Sequence, residues 1–243
     1  SASIFAYLFC GLLIAFVMLC FAEVGSKITT SGGAYTYIQS SFGPYFGFLT
    51  VVLFSLSTIS SDAAVANAVA DIIGSIFPFF KSEVIRVIFF LTLFSVLGYI
   101  NIIGVKEGIR LVKILTISKL IPLFLLIFFS WGEFSMDNMA FNSIPSINDI
   151  GTISLILFFA FQGAESGLSV SGEVENPKKN IPKAIFISIA GVLILYILIQ
   201  TVAQGVLGDS LATYKENPLS VVANQVFGPV GFTILTIGAG ISM

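Results

Sequence analysis

The sequence contains no histidine and carries little charge for its length. Only 10% of its 243 residues are charged, against about 25% in a typical soluble domain. Without imidazole, the protein cannot use histidine as a metal ligand, proton relay or nucleophile activator. The low charge excludes the polar surface of a soluble domain, and the net charge of −2 gives no basis for nucleic-acid binding.

Cysteine is also scarce, and the two that are present are placed too far apart to be bonded. Cys10 and Cys20 lie in one apolar run. In a helix, this separation spans roughly 15 Å, whereas a disulfide needs Cα atoms within about 7 Å. We therefore interpret both cysteines as packing residues.

Long apolar runs are what the sequence has in abundance. Hydrophobic residues make up 56% of the chain, and the mean hydropathy is +1.02. A membrane span needs about 20 mostly apolar residues, so the sequence predicts an all-α polytopic membrane protein. We expect a single transmembrane domain over residues 1–243, with spans at approximately 4–22, 44–71, 86–105, 112–131, 151–171, 184–208 and 228–243.

The distribution of lysine and arginine predicts which loops are cytoplasmic. Seven basic residues collect on one side of the predicted spans and three on the other. Because cytoplasmic loops carry the excess of positive charge, we expect loops 23–43, 104–113 and 172–183 to be cytoplasmic. The first span then runs inward, so we expect the chain to be an excerpt of a longer protein with one further span before Ser1.

Three ionisable side chains stand out at depth in the predicted spans: Asp62, Lys119 and Glu165. A charge at membrane depth costs roughly 3 kcal/mol, so such residues usually face a bundle interior or a cavity. Asp62 lies among small residues, which is compatible with tight helix packing or with a cavity position. For Lys119 the residues alone favour snorkelling to the cytoplasmic headgroups.

Glu165 lies in the segment FFAFQGAESGLS, residues 158–169, between Gly163 and Gly167. Glycine weakens a helix by about 1 kcal/mol relative to alanine, and transporters use broken helices to direct backbone groups at substrates. One interpretation is a broken helix in which Glu165 binds or gates. The other is a small-residue helix contact with Glu165 paired structurally, and the spacing leaves both open.

Four stretches, in the order and on the sides predicted above, resemble the amino acid–polyamine–organocation (APC) superfamily of amino acid permeases. SKITTSGGAYTYIQSSFGP, after Glu23, resembles the cytoplasmic end of the second helix of that family and its following loop. NIIGVKEGIRLVKILTISK resembles the start of the fifth helix, and NPLSVVANQVFGPVG the extracellular segment before the eighth. FFAFQGAESGLSVSGEVENPKKNIPKAI resembles the sixth helix and its loop, and is the most specific of the four.

The resemblance implies a LeuT-type inverted-repeat fold, of which this chain would hold helices two to seven and the start of eight. The absent first helix would carry a glycine-rich break that grips the substrate, and the sixth helix would supply the other half of the site. Phe159 matches the aromatic gate above the substrate. Phe161, Gln162 and Gly163 match the unwound stretch, where backbone groups and one or two side chains meet the substrate.

The three charged residues also have counterparts in the resemblance. Asp62 lies close to a polar substrate-contacting position of the third helix. Glu165 matches an acidic position present in some relatives, which implies gating or coupling. Lys119 matches a lysine that occupies the sodium position in sodium-independent members, and a desolvated ammonium there could exchange a proton.

The sequence therefore predicts a secondary active transporter, by symport or exchange, of amino acids or related amines. We expect alternating access, proton coupling or sodium independence, and a multi-pass plasma-membrane location. We expect no cofactor, no metal and no catalytic residue; the expected partners are the substrate, the lipid bilayer and, where transport is proton-coupled, protons, with no nucleic acid, and the sequence leaves oligomeric state and accessory subunits open. A channel or sensor on the same scaffold is the alternative, and an intramembrane enzyme is disfavoured because the sequence has no HExxH or GxSxG motif.

Overall fold

Helices and short 3₁₀ turns make up the secondary structure of the protein, which is a computed structural model describing residues 2–140, 146–161, 163–214 and 217–242. No strand occurs in these ranges, which confirms the all-α prediction. The α-helices are α1 (Ala2–Lys27), α2 (Gly33–Phe42), α3 (Pro44–Ile76), α4 (Glu83–Ile103), α5 (Val105–Phe129), α6 (Ile147–Phe161), α7 (Pro177–Leu207) and α8 (Pro218–Ser242). The 3₁₀ turns are Pro78–Lys81, Ser130–Gly132, Met136–Met139, Ala164–Glu173 and Gly208–Thr213.

Over the described residues, seven segments are long and apolar enough to cross a membrane. They correspond to α1, α3, α4, α5, α6 with the 3₁₀ turns that follow it, α7 and α8. The prediction of a polytopic membrane protein is therefore confirmed. The short helix α2 is an addition, since the sequence predicts only a loop over 23–43. With 10 residues it is too short to span, and its buried Tyr37 faces the core.

Two spans begin earlier than hydropathy predicts. Helix α7 starts at Pro177 rather than residue 184, and α8 at Pro218 rather than residue 228. Both starts follow an asparagine, and proline suits a first helical position because its missing N–H would be unbonded there anyway. The first turn of α7 is polar, which hides its start from an apolar window, whereas the first turn of α8 contains Leu219 and Val221 and is separated from the main apolar run by Asn224 and Gln225. In α8 the backbone leaves helical geometry at Gly228, just before Pro229, where the apolar run itself begins.

The first compact unit comprises Ser1–Ser57 and Met136–Gln204. Its core is a stripe of buried residues on α1, spaced four apart on one helix face: Cys10, Ile14, Met18 and Ala22. This stripe packs against Tyr37 of α2, Phe161 of α6, Leu168 of the 3₁₀ turns, and Ile181 and Ile185 of α7. Cys10 is thus a packing residue, as predicted. The same interpretation of Cys20 is wrong: it lies off the stripe and is exposed.

The second compact unit comprises Thr58–Ser135 and Gly205–Met243. Helix α5 packs closely on α8, where a Cβ on Gly238 would lie 3.2 Å from the ring of Pro122. Arg86, at the start of α4, holds the far end of α3. Its guanidinium donates to the Asp71 carboxylate at 2.7 Å and to the Asn67 side-chain oxygen at 2.9 Å.

Replacing Arg86 should therefore destabilise the second unit. We expect Arg86→Ala to cost about 1 kcal/mol, because a planar guanidinium serves two acceptors at once. In thermal denaturation of the complete protein in detergent this corresponds to a fall in Tm of about 2–4 °C. The control is Arg110→Ala, which removes an exposed 3.8 Å pair with Glu107. An equal loss of Tm in both variants would contradict a specific role for Arg86.

Candidate functional site

The candidate site is a break in the span formed by α6 and the 3₁₀ turns after it. Helix α6 ends at Phe161, Gly163 has φ 110° and ψ −19°, and the backbone continues as 3₁₀ turns from Ala164 to Glu173. Such a positive φ is open to glycine at little cost and strained for other residues. Gln162, predicted to contact substrate, lies outside the described residues. The regular helix therefore stops inside the segment that the sequence singled out.

The structure decides between the two interpretations of this segment. A small-residue helix contact would place a neighbour against the glycines. A Cβ on Gly163 or on Gly167 would instead meet no described atom within 4 Å. Gly163, with its positive φ, therefore serves the change of backbone direction, and the broken-helix interpretation describes this segment.

Side chains satisfy backbone groups on both flanks of the break. Both carboxylate oxygens of Glu165 accept from the Gly163 N–H, at 3.2 and 3.1 Å. The Tyr196 hydroxyl, from α7, donates to the Ala160 carbonyl at 2.9 Å. The Tyr196 ring also meets the buried Phe161 ring edge-on, with centroids 5.2 Å apart. These contacts matter because a bare backbone group at membrane depth is costly.

The far end of the 3₁₀ turns is attached to the loop between α1 and α2. The Gly32 N–H donates to the Ser169 carbonyl at 3.0 Å, and the Gly172 N–H donates to the Ser31 hydroxyl at 3.2 Å. The approach is close, since a Cβ on Gly33 would lie 3.2 Å from the Ser169 nitrogen. The segment after the break is thus held at both of its ends.

A partly open cleft of about 210 Å³ runs beside these turns. Its walls come from the start of α2, the first half of α3 and the 3₁₀ turns, and include Tyr35, Thr50, Phe54, Ser55, Glu165 and Ser169. The hydroxyls of Thr50 and Ser169 donate to carbonyls of their own segments, at 2.8 and 2.7 Å. Their oxygens therefore remain able to accept from a guest, beside the Glu165 carboxylate. The cleft offers hydrogen-bond acceptors at membrane depth.

The predicted site residues fall into two groups. Phe159, Phe161, Gly163 and Glu165 follow one another along the break in the first unit. The Phe159 side chain is 55% exposed, whereas that of Phe161 is 6% exposed and belongs to the core. Any contact of Phe161 with a substrate must therefore come from its backbone.

Asp62 and Lys119 belong to the second unit. Asp62 is exposed on α3, and Lys119 is partly buried on α5, three residues before Pro122. Neither residue takes part in an ion pair between described residues. No group of three metal-ligating side chains converges among those residues either.

Tyr196 and Ser31 are functional candidates that sequence reasoning missed. The Tyr196 hydroxyl donates to the Ala160 carbonyl, 36 residues away in the chain, and the Ser31 hydroxyl accepts from the Gly172 N–H, 141 residues away. A tyrosine in an apolar span and a serine in a polar loop are both unremarkable by composition. Only the second glycine-rich stretch, SGG at 31–33, gave a signal that backbone passes closely there.

The interrupted span and the seven apolar segments define a class, that of polytopic helical membrane proteins with a broken span. The chain belongs to the amino acid permease family of the APC superfamily, whose profile matches residues 1–243. The resemblance deduced from the sequence motifs is thereby confirmed.

Curated relatives agree with this assignment. The chain is 30% identical to the serine/threonine exchanger SteT of Bacillus subtilis (strain 168), covering 99% of this chain and 55% of the relative. It is 26% identical to the arginine/ornithine antiporter of Pseudomonas aeruginosa, covering 96% and 50%. It is 28% identical to the b(0,+)-type amino acid transporter 1 of Mus musculus, covering 78% and 41%. The chain thus spans about half the length of the relatives it matches.

Two glycines of the break provide a matched test of its backbone strain. Gly163 and Gly167 both have room for a methyl group, but only Gly163 has a positive φ. We expect Gly163→Ala to destabilise the complete protein by about 1–3 kcal/mol. We expect Gly167→Ala to be neutral or stabilising by up to about 1 kcal/mol. Thermal denaturation in detergent measures both, and equal effects would contradict the assigned backbone geometry.

Proposed function

We propose that the complete protein is a secondary active transporter that moves amino acids or related amines by alternating access, as an exchanger or symporter. The observation that carries the proposal is the break at Gly163, where a span of an amino acid permease gives up helical hydrogen bonds beside a cleft lined with acceptors. The names of the relatives support exchange in particular, since two of them are an exchanger and an antiporter. This function needs no covalent chemistry, cofactor or metal.

In this proposal, the residues of the break have different roles in binding the substrate. Phe161, Gln162 and Gly163 present backbone groups to the substrate, because the Phe161 side chain is committed to the core. Phe159, which is exposed, closes over the bound substrate as an aromatic gate. Asp62 contributes a polar contact from α3, and with Glu165 it favours a cationic or amine-bearing substrate.

Coupling is assigned to Lys119 and Glu165. A lysine ammonium in the place of a sodium ion makes transport independent of sodium, and loss of its proton on desolvation would link transport to a proton gradient. Glu165 lines the cleft, so substrate movement along the cleft passes its carboxylate. Gating by Glu165 is part of the same proposal.

The sidedness of the protein follows from its basic residues. Loops 23–43, 104–113 and 172–183 face the cytoplasm of a plasma-membrane protein, because they carry most of the lysines and arginines. The cleft beside the 3₁₀ turns contains residues 32–35, from the first of these loops. It therefore lies towards the cytoplasmic end of the site.

Reconstitution tests the transport and its coupling. In proteoliposomes of the complete protein, we expect saturable, stereoselective uptake of labelled amino acids. The rate of uptake should rise with an inward proton gradient and should not depend on sodium. We expect Lys119→Ala to reduce gradient-driven uptake to background, and the control Lys113→Ala, an exposed lysine on the same helix, to retain it. Gradient-driven uptake by Lys119→Ala would contradict the coupling. Ohmic conductance without saturable uptake would favour a channel.

Two adjacent phenylalanines test the aromatic gate. Phe158 and Phe159 are both exposed, at 40% and 55%, but they point to different faces of α6. We expect Phe159→Ala to raise KM by about three- to tenfold, the value of an aromatic contact of about 0.5–1.5 kcal/mol. We expect Phe158→Ala to leave KM within about twofold of wild type. Uptake measured over a range of substrate concentrations decides, and a larger effect at Phe158 would place the gate elsewhere.

A further inference from the structure

Two backbone groups at the break are bonded to side chains. In an uninterrupted α-helix the Gly163 N–H would donate to the Phe159 carbonyl, and the Ala160 carbonyl would accept from the N–H of residue 164. Here the Gly163 N–H faces the Glu165 carboxylate, and the Ala160 carbonyl accepts from the Tyr196 hydroxyl. Each of two consecutive helical hydrogen bonds therefore has one of its groups engaged by a side chain.

We propose that Tyr196 and Glu165 are a pair of positioning residues that hold the break open. This inference rests on the proposed function, since it explains how the break that serves a substrate keeps its shape. Tyr196 provides a donor to a carbonyl on the N-terminal side of the break. Glu165 provides an acceptor to an N–H on the C-terminal side, so that neither backbone group is left without a partner where the helix is interrupted.

Tyr196 is suited to this role because its ring is fixed by packing. The ring lies 5.2 Å from the buried Phe161 ring and 5.7 Å from the ring of Tyr7 on α1, measured between centroids. The hydroxyl is thus carried to the Ala160 carbonyl by a side chain with little freedom left. A hydrogen bond from a pre-positioned donor costs less conformational entropy than one from a mobile side chain.

Glu165 is suited to its role because it lies only two residues from its donor. Both of its oxygens lie within hydrogen-bond distance of the Gly163 N–H, and a hydrogen bond to a carboxylate is stronger than one to a neutral carbonyl. The carboxylate therefore gives the Gly163 N–H a strong partner where the regular helix has ended.

The role of Tyr196 is tested by removing one tyrosine hydroxyl at each of two positions in the same core. Tyr196→Phe removes a hydroxyl that bonds the break, whereas Tyr37→Phe removes a buried hydroxyl of the same cluster that has no hydrogen-bond partner among the described residues. We expect Tyr196→Phe to raise the KM for amino acid uptake about three- to tenfold, with the maximal rate changed by less than about twofold, and Tyr37→Phe to change neither. Equal KM values for the two variants would overturn the role of Tyr196.

The glutamate half is tested on the complete protein without substrate, by hydrogen–deuterium exchange of the Gly163 amide read by mass spectrometry with residue-level fragmentation. We expect Glu165→Ala to speed exchange of this amide about three- to tenfold. Glu165→Gln, whose amide oxygen can still accept, should restore slow exchange, and the control Glu173→Ala should leave it unchanged. Unchanged exchange in Glu165→Ala, or equal acceleration in Glu165→Gln, would overturn the role of Glu165.

The uptake and hydrogen-exchange experiments together distinguish a failure of this inference from a failure of the proposed function. If the wild-type protein takes up no amino acid, the proposed function fails, and the exchange experiment still reports on the bracing. If uptake is normal but the exchange of Gly163 does not depend on Glu165, transport stands and the bracing fails.

Discussion

In the hydrocarbon of a membrane, a backbone N–H or C=O that leaves a helix needs another partner, because no water is present to supply one. The rest of the first unit depends on how this constraint is met at Gly163. The Glu165 carboxylate accepts from the Gly163 N–H, and the Tyr196 hydroxyl donates to the Ala160 carbonyl. The loop after α1 forms hydrogen bonds with the Ser169 carbonyl and the Gly172 N–H. A break that would be costly in a lone helix is thereby tolerated where neighbouring segments supply partners.

Packing on either side of the break keeps its two halves in place. Phe161, the last residue of α6, and Leu168, in the turns beyond, are both buried in the cluster built on α1. Fully burying side chains of this size contributes about 1.5–3 kcal/mol each, comparable with the strain of about 1–3 kcal/mol that one unusual backbone conformation stores. The anchors therefore offset the cost of the break, and Phe159, which precedes both of them, is exposed.

Charge is scarce in this sequence, so the ionisable residues of the spans can be compared individually by the partners they have. Glu165 bonds a backbone N–H and also lines the cleft. Lys119 and Asp62 lie in the second unit without an ion pair among the described residues. Arg86 differs, since it bonds both Asp71 and Asn67 and joins two helices. A charge that joins two helices is thus distinguishable from charges that have no ion-pair partner among the described residues.

The sequence by itself determined the class, the family and the approximate spans, because hydropathy and local motifs are properties of neighbouring residues. It placed the starts of α7 and α8 too late, since the first turn of α7 at Pro177 is polar and the apolar start of α8 at Pro218 is separated from the main apolar run by Asn224 and Gln225. It also left the segment around Glu165 undecided, because the same glycine spacing serves a tight helix contact and a helix break. Only the tertiary structure decided this: Gly163 and Gly167 have no close neighbour among the described atoms, and the break is braced by Tyr196 and Ser31, 36 and 141 residues away from the groups they bond. Partners so distant are brought together by packing, which no local pattern encodes.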